Sequence, residues 1–121
     1  MRNLLLILIG SIFSMFGYSQ ITQAQVIANA NSYLNLSWTA SSTNIWSSVS
    51  CGGTTVNTPS WVSSGSNSSM PYCWGGNSSI SSFTSNIALG RSAGDNNTTG
   101  NYAGFSCSAG VDCSGFVGRC Y

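Results

Sequence analysis

The chain contains no histidine, no lysine and no glutamate. Three arginines and two aspartates carry all of its side-chain charge, for a formal net charge of +1. Each absence closes off a class of function. Binding a nucleic-acid backbone takes clustered Lys and Arg to neutralise phosphates, so nucleic acid is set aside as a partner. Zinc-type centres draw on His, Cys and carboxylates at short spacings; histidine is absent, carboxylates are few and no cysteine pair has that spacing, so no metal is expected. The segment 94–100 reads as a loop, but it lacks the alternating acidic ligands and terminal Glu of a calcium site. No cofactor is called for.

What remains is a chain of 121 residues, enough for one small domain, rich in Ser, Asn, Thr and Gly. Its start has the layout of a secretory signal. Arg2 gives a positive n-region, Leu4 to Phe16 is an apolar run of 13 residues, and Gly17-Tyr18-Ser19 offers small residues before a cleavage point at Gln20. A bilayer span takes about 20 apolar residues, so the run is too short to anchor the chain. The expectation is a signal over residues 1–19, a domain over 20–121, no stable membrane span after cleavage, and a secreted or periplasmic location.

Five cysteines, Cys51, Cys73, Cys107, Cys113 and Cys120, fit that compartment. The odd count predicts disulfides with one thiol left over. If Cys113 is that thiol, the other four allow three pairings, and the sequence does not choose among them.

Three stretches have helical spacing. Val26, Ile27, Ala30, Tyr33 and Leu34 make one apolar face over 22–35, with Thr22 placed to cap it. Ile80, Phe83, Ile87 and Leu89 suggest a short helix. Cys113, Phe116, Val117, Cys120 and Tyr121 follow i, i+3, i+4, i+7, i+8, with Asp112 at the N-cap. Between the first two, Trp38, Trp46 and Trp61 punctuate a region without period, read as irregular structure with short strands near Val49 and Val62. These tryptophans are expected to pack; stacking on sugars is the sharper and weaker idea.

The chemistry concentrates at Cys113. A first-turn position meets free backbone N–H groups and the positive end of the helix dipole, and both favour a thiolate. The small neighbours Ser114 and Gly115 leave room for a substrate carbonyl, and the Cys113 N–H could donate to an oxyanion. Gly115 and Gly118 weaken the helix by about 1 kcal/mol each, tolerable where something must approach closely. Read locally, a buried or disulfide-bonded Cys113 and a nucleophilic one are equally good accounts.

Two motifs, in order, tip that balance. Gly110-Val111-Asp112-Cys113-Ser114-Gly115-Phe116-Val117 resembles the nucleophile segment of the NlpC/P60 cell-wall cysteine peptidases. Pro71-Tyr72-Cys73-Trp74-Gly75-Gly76 is similar to the tyrosine motif that precedes it. The resemblance implies an α+β, papain-like fold of which this chain holds the N-terminal, helical and loop-rich part, without the later antiparallel sheet. It implies Cys113 as nucleophile, Tyr72 beside it near the oxyanion, and Asp112, Ser114 and Trp74 at the substrate. The implied substrates are peptidoglycan stem peptides, often the bond between D-glutamate and a diamino acid.

Two departures qualify the likeness. The 36 residues between Gly76 and Cys113 exceed the family's usual spacing, which suggests an insert at about 77–109 forming a loop or lid. The family's general-base His is absent altogether. The expectation is an incomplete hydrolase, inactive and unable to fold alone because the helix faces at 22–35 and 113–121 lack the sheet they would cover. The alternatives are a non-catalytic exported module that binds wall or glycan through its aromatics, and a disulfide-stapled structural protein.

Overall fold

Thr22 opens the first helix with a reciprocal cap. Its hydroxyl accepts from the Gln25 N–H (3.2 Å), and its own N–H donates to Gln25 Oε1 (2.8 Å). The computed structural model describes residues 20–97 and 106–121. The expected signal over 1–19 and the end of the expected loop at 94–100 lie outside them.

Helix α1 runs Gln23–Leu34. Its last carbonyls are met from outside: the Met70 N–H donates to Tyr33 O (3.0 Å) and the Ser69 hydroxyl to Leu34 O (2.5 Å). Strand β1 (Ser37–Ala40) pairs antiparallel with β4 (Gly65–Ser68), Trp38 opposite Asn67. Alternation along β1 buries Trp38 and Ala40 and exposes Ser37 and Thr39. Between them β2 (Val49–Cys51) and β3 (Thr54–Val56) form a hairpin. Its two-residue turn is Gly52-Gly53, with φ of 61° and 81°, values that glycine adopts without strain.

Helix α2 spans Ile80–Ala88, capped by Ser79. Strand β5 (Ser92–Ala93) then pairs in parallel with β6 (Ser108–Ala109), and α3 covers Cys113–Cys120. The architecture is α+β. The core gathers Trp38, Ala40, Val62, Phe83, Ile87, Ala93 and Ala109, with the Phe83 ring edge-on to Trp38 at 4.9 Å. A buried ring of this size contributes about 1.5–3 kcal/mol.

Several expectations change here. The described part of 77–109 reaches the core: an otherwise Ser-rich stretch supplies Phe83, Ile87, Ala93 and Ala109. Val49 is in a strand as expected, but Val62 follows a turn, its N–H donating to Pro59 O (3.0 Å). The faces of α1 and α3 find each other: Tyr33 meets Phe116 edge-on at 5.9 Å, and the Asn29 amide donates to Cys120 O (2.9 Å). That cover is partial. Ile27, Leu34, Val117 and Tyr121 stay exposed, Tyr121 by 75%. One disulfide, Cys51–Cys107, ties the hairpin to the approach of β6, while Cys73, Cys113 and Cys120 are thiols. Among the described residues no helix is long and apolar enough to cross a membrane.

Candidate active site

The two motifs are far apart in sequence and are joined by backbone. The short extended segment Gly110–Asp112 lies between residues 71–73 on one side and 76–78 on the other. On the first side the Val111 N–H donates to Pro71 O (3.1 Å) and the Cys73 N–H to Val111 O (3.0 Å). On the second the Asp112 N–H donates to Gly76 O and the Ser78 N–H to Gly110 O, both at 3.0 Å. Asp95 extends the arrangement outward, its N–H on Tyr72 O (2.9 Å) and its carbonyl taking the Trp74 N–H (2.9 Å).

Gly76 and Gly115 explain why the loop can sit so close to α3. A Cβ on Gly115 would collide with Gly76 O, and one on Gly76 would lie 2.7 Å from Gly110 O. The helix-weakening glycine at 115 is thus a contact point. Gly118 is not, since a Cβ there meets nothing within 4 Å.

Cys113 is the first residue of α3 and is exposed. Asp112 caps the helix: its carboxylate accepts from the Gly115 N–H (2.6 Å) and the Ser114 hydroxyl (2.7 Å). The Gly115 bond, with help from Ser114, holds the Asp112 carboxyl below the usual carboxylate range against the opposing effect of burial. At the first helical position the Cys113 N–H lies outside the intrahelical ladder, where it can point at a ligand.

Tyr72 stands beside this helix start, 37% exposed. Burial raises its pKa, and the charges of Asp112 and then Cys113 raise it further. The phenol therefore keeps its proton at neutral pH and can act as a donor. Tyr72, Asp112 and Cys113 line one cavity of about 270 Å³, closed on its apolar side by Leu34, Met70 and Phe116. Ser114 touches it only through its bond to Asp112. Trp74, the remaining expected contact, is half-buried on the loop and outside the lining of this cavity.

The neighbouring thiol is chemically distinct. Cys73 is 1% exposed, and burial pushes its pKa up to about 11 despite a contact with the Ser108 hydroxyl at 3.0 Å. It stays a thiol where Cys113 faces solvent. Cys120 is buried against α1.

Sequence reasoning passed over three contributors. Tyr33 and Leu34 of α1 reach the cavity because Ser69 and Met70 fix the end of that helix. Asp95, 2% exposed, anchors the Tyr72 segment, its Oδ1 accepting from the N–H groups of Asn57 and Asn97 at 3.0 Å each. One of only two acids in the chain, it carried a compositional signal.

The tryptophans separate. Trp38 is core, and its indole donates to Ser69 O (2.9 Å). Trp46 donates to Thr43 O (2.7 Å), and Trp61 is 52% exposed.

Chemically, the arrangement offers an exposed thiol at a helix start, a phenol donor beside it and an apolar-walled recess. Among the described residues that line the cavity, none is a histidine or a lysine. Asp112 is too weak a base, Tyr72 remains protonated, and histidine does not occur in the sequence. The sequence matches no protein-family model, and no curated protein or solved structure matches it.

Proposed function

We propose that this chain carries the nucleophile of an exported cysteine peptidase that cleaves peptidoglycan stem peptides, in the manner of the NlpC/P60 enzymes. The observation that supports it best is the meeting of two distant motifs: Cys113 at the start of α3 and Tyr72 share one cavity. In this reading the Cys113 sulfur attacks the peptide carbonyl, and the Cys113 N–H and Tyr72 hydroxyl stabilise the oxyanion. The C–N bond then breaks, the leaving amine takes a proton, and water releases the thioester.

The general base and its orienting partner come, in this proposal, from outside these 121 residues, and the chain alone is inactive. A papain-like sheet covering Ile27, Leu34, Val117 and Tyr121 belongs to the same proposal. Export fits the Cys51–Cys107 disulfide, since such bonds persist in oxidising compartments. The glycan-binding alternative rests on Trp61, because Trp38 is core and Trp46 is half-buried.

The test is covalent trapping with a stem-peptide chloromethyl ketone, whose ketone stands in for the scissile carbonyl and whose chloromethyl carbon stands in for the leaving nitrogen. Attack by the Cys113 sulfur on the methylene carbon expels chloride and leaves a thioether. The expected adduct is on Cys113, with unmodified stem peptide slowing its formation and Cys73 and Cys120 untouched. Labelling that the stem peptide does not slow contradicts the proposal.

A further inference from the structure

Three successive carbonyls, those of Gly76, Asn77 and Ser78, accept from three different places. Gly76 O takes the Asp112 N–H at the start of α3 (3.0 Å). Asn77 O takes Nε–H (3.1 Å) and Nη2–H (2.7 Å) of Arg119, from the last turn of the same helix. Ser78 O takes the Tyr33 hydroxyl of α1 (3.2 Å). Helix α3 is therefore tied to one short loop from both of its ends, and α1 is tied beside it.

The two ties on α3 act differently. The Asp112 bond fixes where the helix begins, and a helix held at one end can pivot about it. Arg119 lies about 9 Å along the axis from Cys113, far enough to stop that pivot. Its acceptor is also close to the site. Val111 pairs with Tyr72 on one side and with Asn77 on the other, and a Cβ on Gly115 would lie 3.1 Å from Asn77 Cα. Arginine suits the task, since one planar guanidinium places two N–H groups on one oxygen and its charge complements the helix C-terminus. The side chain is exposed, so its bonds compete with water and matter more for direction than for stability.

We infer that Arg119 is a positioning residue for the acyl transfer proposed at Cys113, a role that rests on that reading of the site. Arg119 lies outside the lining of the cavity that Cys113 and Tyr72 share. It acts through Asn77, setting the angle of α3 at which the Cys113 N–H and the Tyr72 hydroxyl face one substrate oxygen.

The test compares the full chain with Arg119→Gln and Arg119→Lys in three reactions of the Cys113 thiol. Methyl methanethiosulfonate has no carbonyl and reports the thiolate alone. Chloroacetone adds a ketone, whose oxygen the two donors must meet. The stem-peptide chloromethyl ketone adds the peptide. Arg119→Gln should slow both ketones by at least about tenfold, as a small misplacement of reacting groups does, and leave the thiosulfonate rate unchanged. Arg119→Lys should recover part of the ketone rate. Slowing of all three reagents alike, or of none, overturns the positioning role. A ketone penalty without protection by unmodified stem peptide supports the positioning role and overturns the stem-peptide reading. Protection by stem peptide without a ketone penalty overturns the positioning role alone. The unaltered chain tests the clamp without any variant: by NMR its Arg119 Nε–H should exchange with water more slowly than that of free arginine, and equally fast exchange overturns the clamp.

Discussion

The Gly76 carbonyl accepts the Asp112 N–H at 3.0 Å, and this bond joins the segment 71–76 to the residue that caps α3. It exists because neither Gly76 nor Gly115 has a side chain to keep loop and helix apart. The position of Cys113 relative to Tyr72 follows from that contact.

The two glycines of α3 should therefore respond oppositely to alanine. Gly115→Ala drives a methyl into Gly76 O and should cost about 1–3 kcal/mol, outweighing the gain in helix propensity. Gly118→Ala enters open space and should stabilise by about 0.5–1 kcal/mol. Urea midpoints of the two variants check the signs. A stabilising Gly115→Ala would show that loop and helix are not in contact.

Asp112 makes stability sensitive to acid. Its carboxyl lies below the usual range because the folded state hydrogen-bonds the charged form. The contribution is fully present above the ordinary carboxylate pKa of about 3.9 and is lost as the pH falls through the lower, folded value. Asp112→Ala should cost about 1 kcal/mol near pH 7 and show a flatter acid limb, whereas Asp112→Asn keeps the cap and loses the pH dependence. Denaturation midpoints between pH 6 and 2.5 provide the comparison.

Cys73 has the opposite sign. Its folded pKa of about 11 lies above the ordinary value, so the unfolded chain ionises first. Its contribution is whole below about pH 8.5 and fades as the pH rises towards the folded value. Cys73→Ala should remove that part of the alkaline loss. Iodoacetamide at pH 7.5 should modify Cys113 well before Cys73, as peptide mass spectrometry would show.

Reducing the Cys51–Cys107 disulfide opens a loop spanning 56 positions and should cost about 2–4 kcal/mol. The loss should appear as a lower thermal midpoint for the double variant Cys51→Ser, Cys107→Ser. An unchanged midpoint would mean that the hairpin is not braced by this bond.

The parts of this fold that were legible in the sequence are those encoded by near neighbours. Thr22, Ser79 and Asp112 cap helices whose apolar residues recur at helical spacing, so the three α-helices among the described residues could be anticipated, and with them the place of Cys113. Long-range pairing was not legible. The bonds between 71–78 and 110–112 are backbone bonds, which no side chain announces except the glycines that permit them. The contact of Phe83 with Trp38 joins two residues 45 positions apart in Ser-rich sequence without a steady period. The choice of Cys51 and Cys107 as partners depends on where the hairpin docks. The place of Arg91 after α2 depends on Asn44, a polar residue that is 1% exposed and donates to Ile87 O and Arg91 O.

In the proposed function Cys113 is the nucleophile of a stem-peptide hydrolase, and the general base is not a histidine of these 121 residues, which contain none. Imidazole in solution can stand in for that base. The direct measurement is release of the diamino acid from a γ-D-glutamyl stem peptide by the chain, with and without imidazole. No cleavage is expected without imidazole; slow cleavage should appear as imidazole is added and disappear in Cys113→Ala. Cleavage that survives Cys113→Ala, or no thioester at Cys113 at any imidazole concentration, would contradict it.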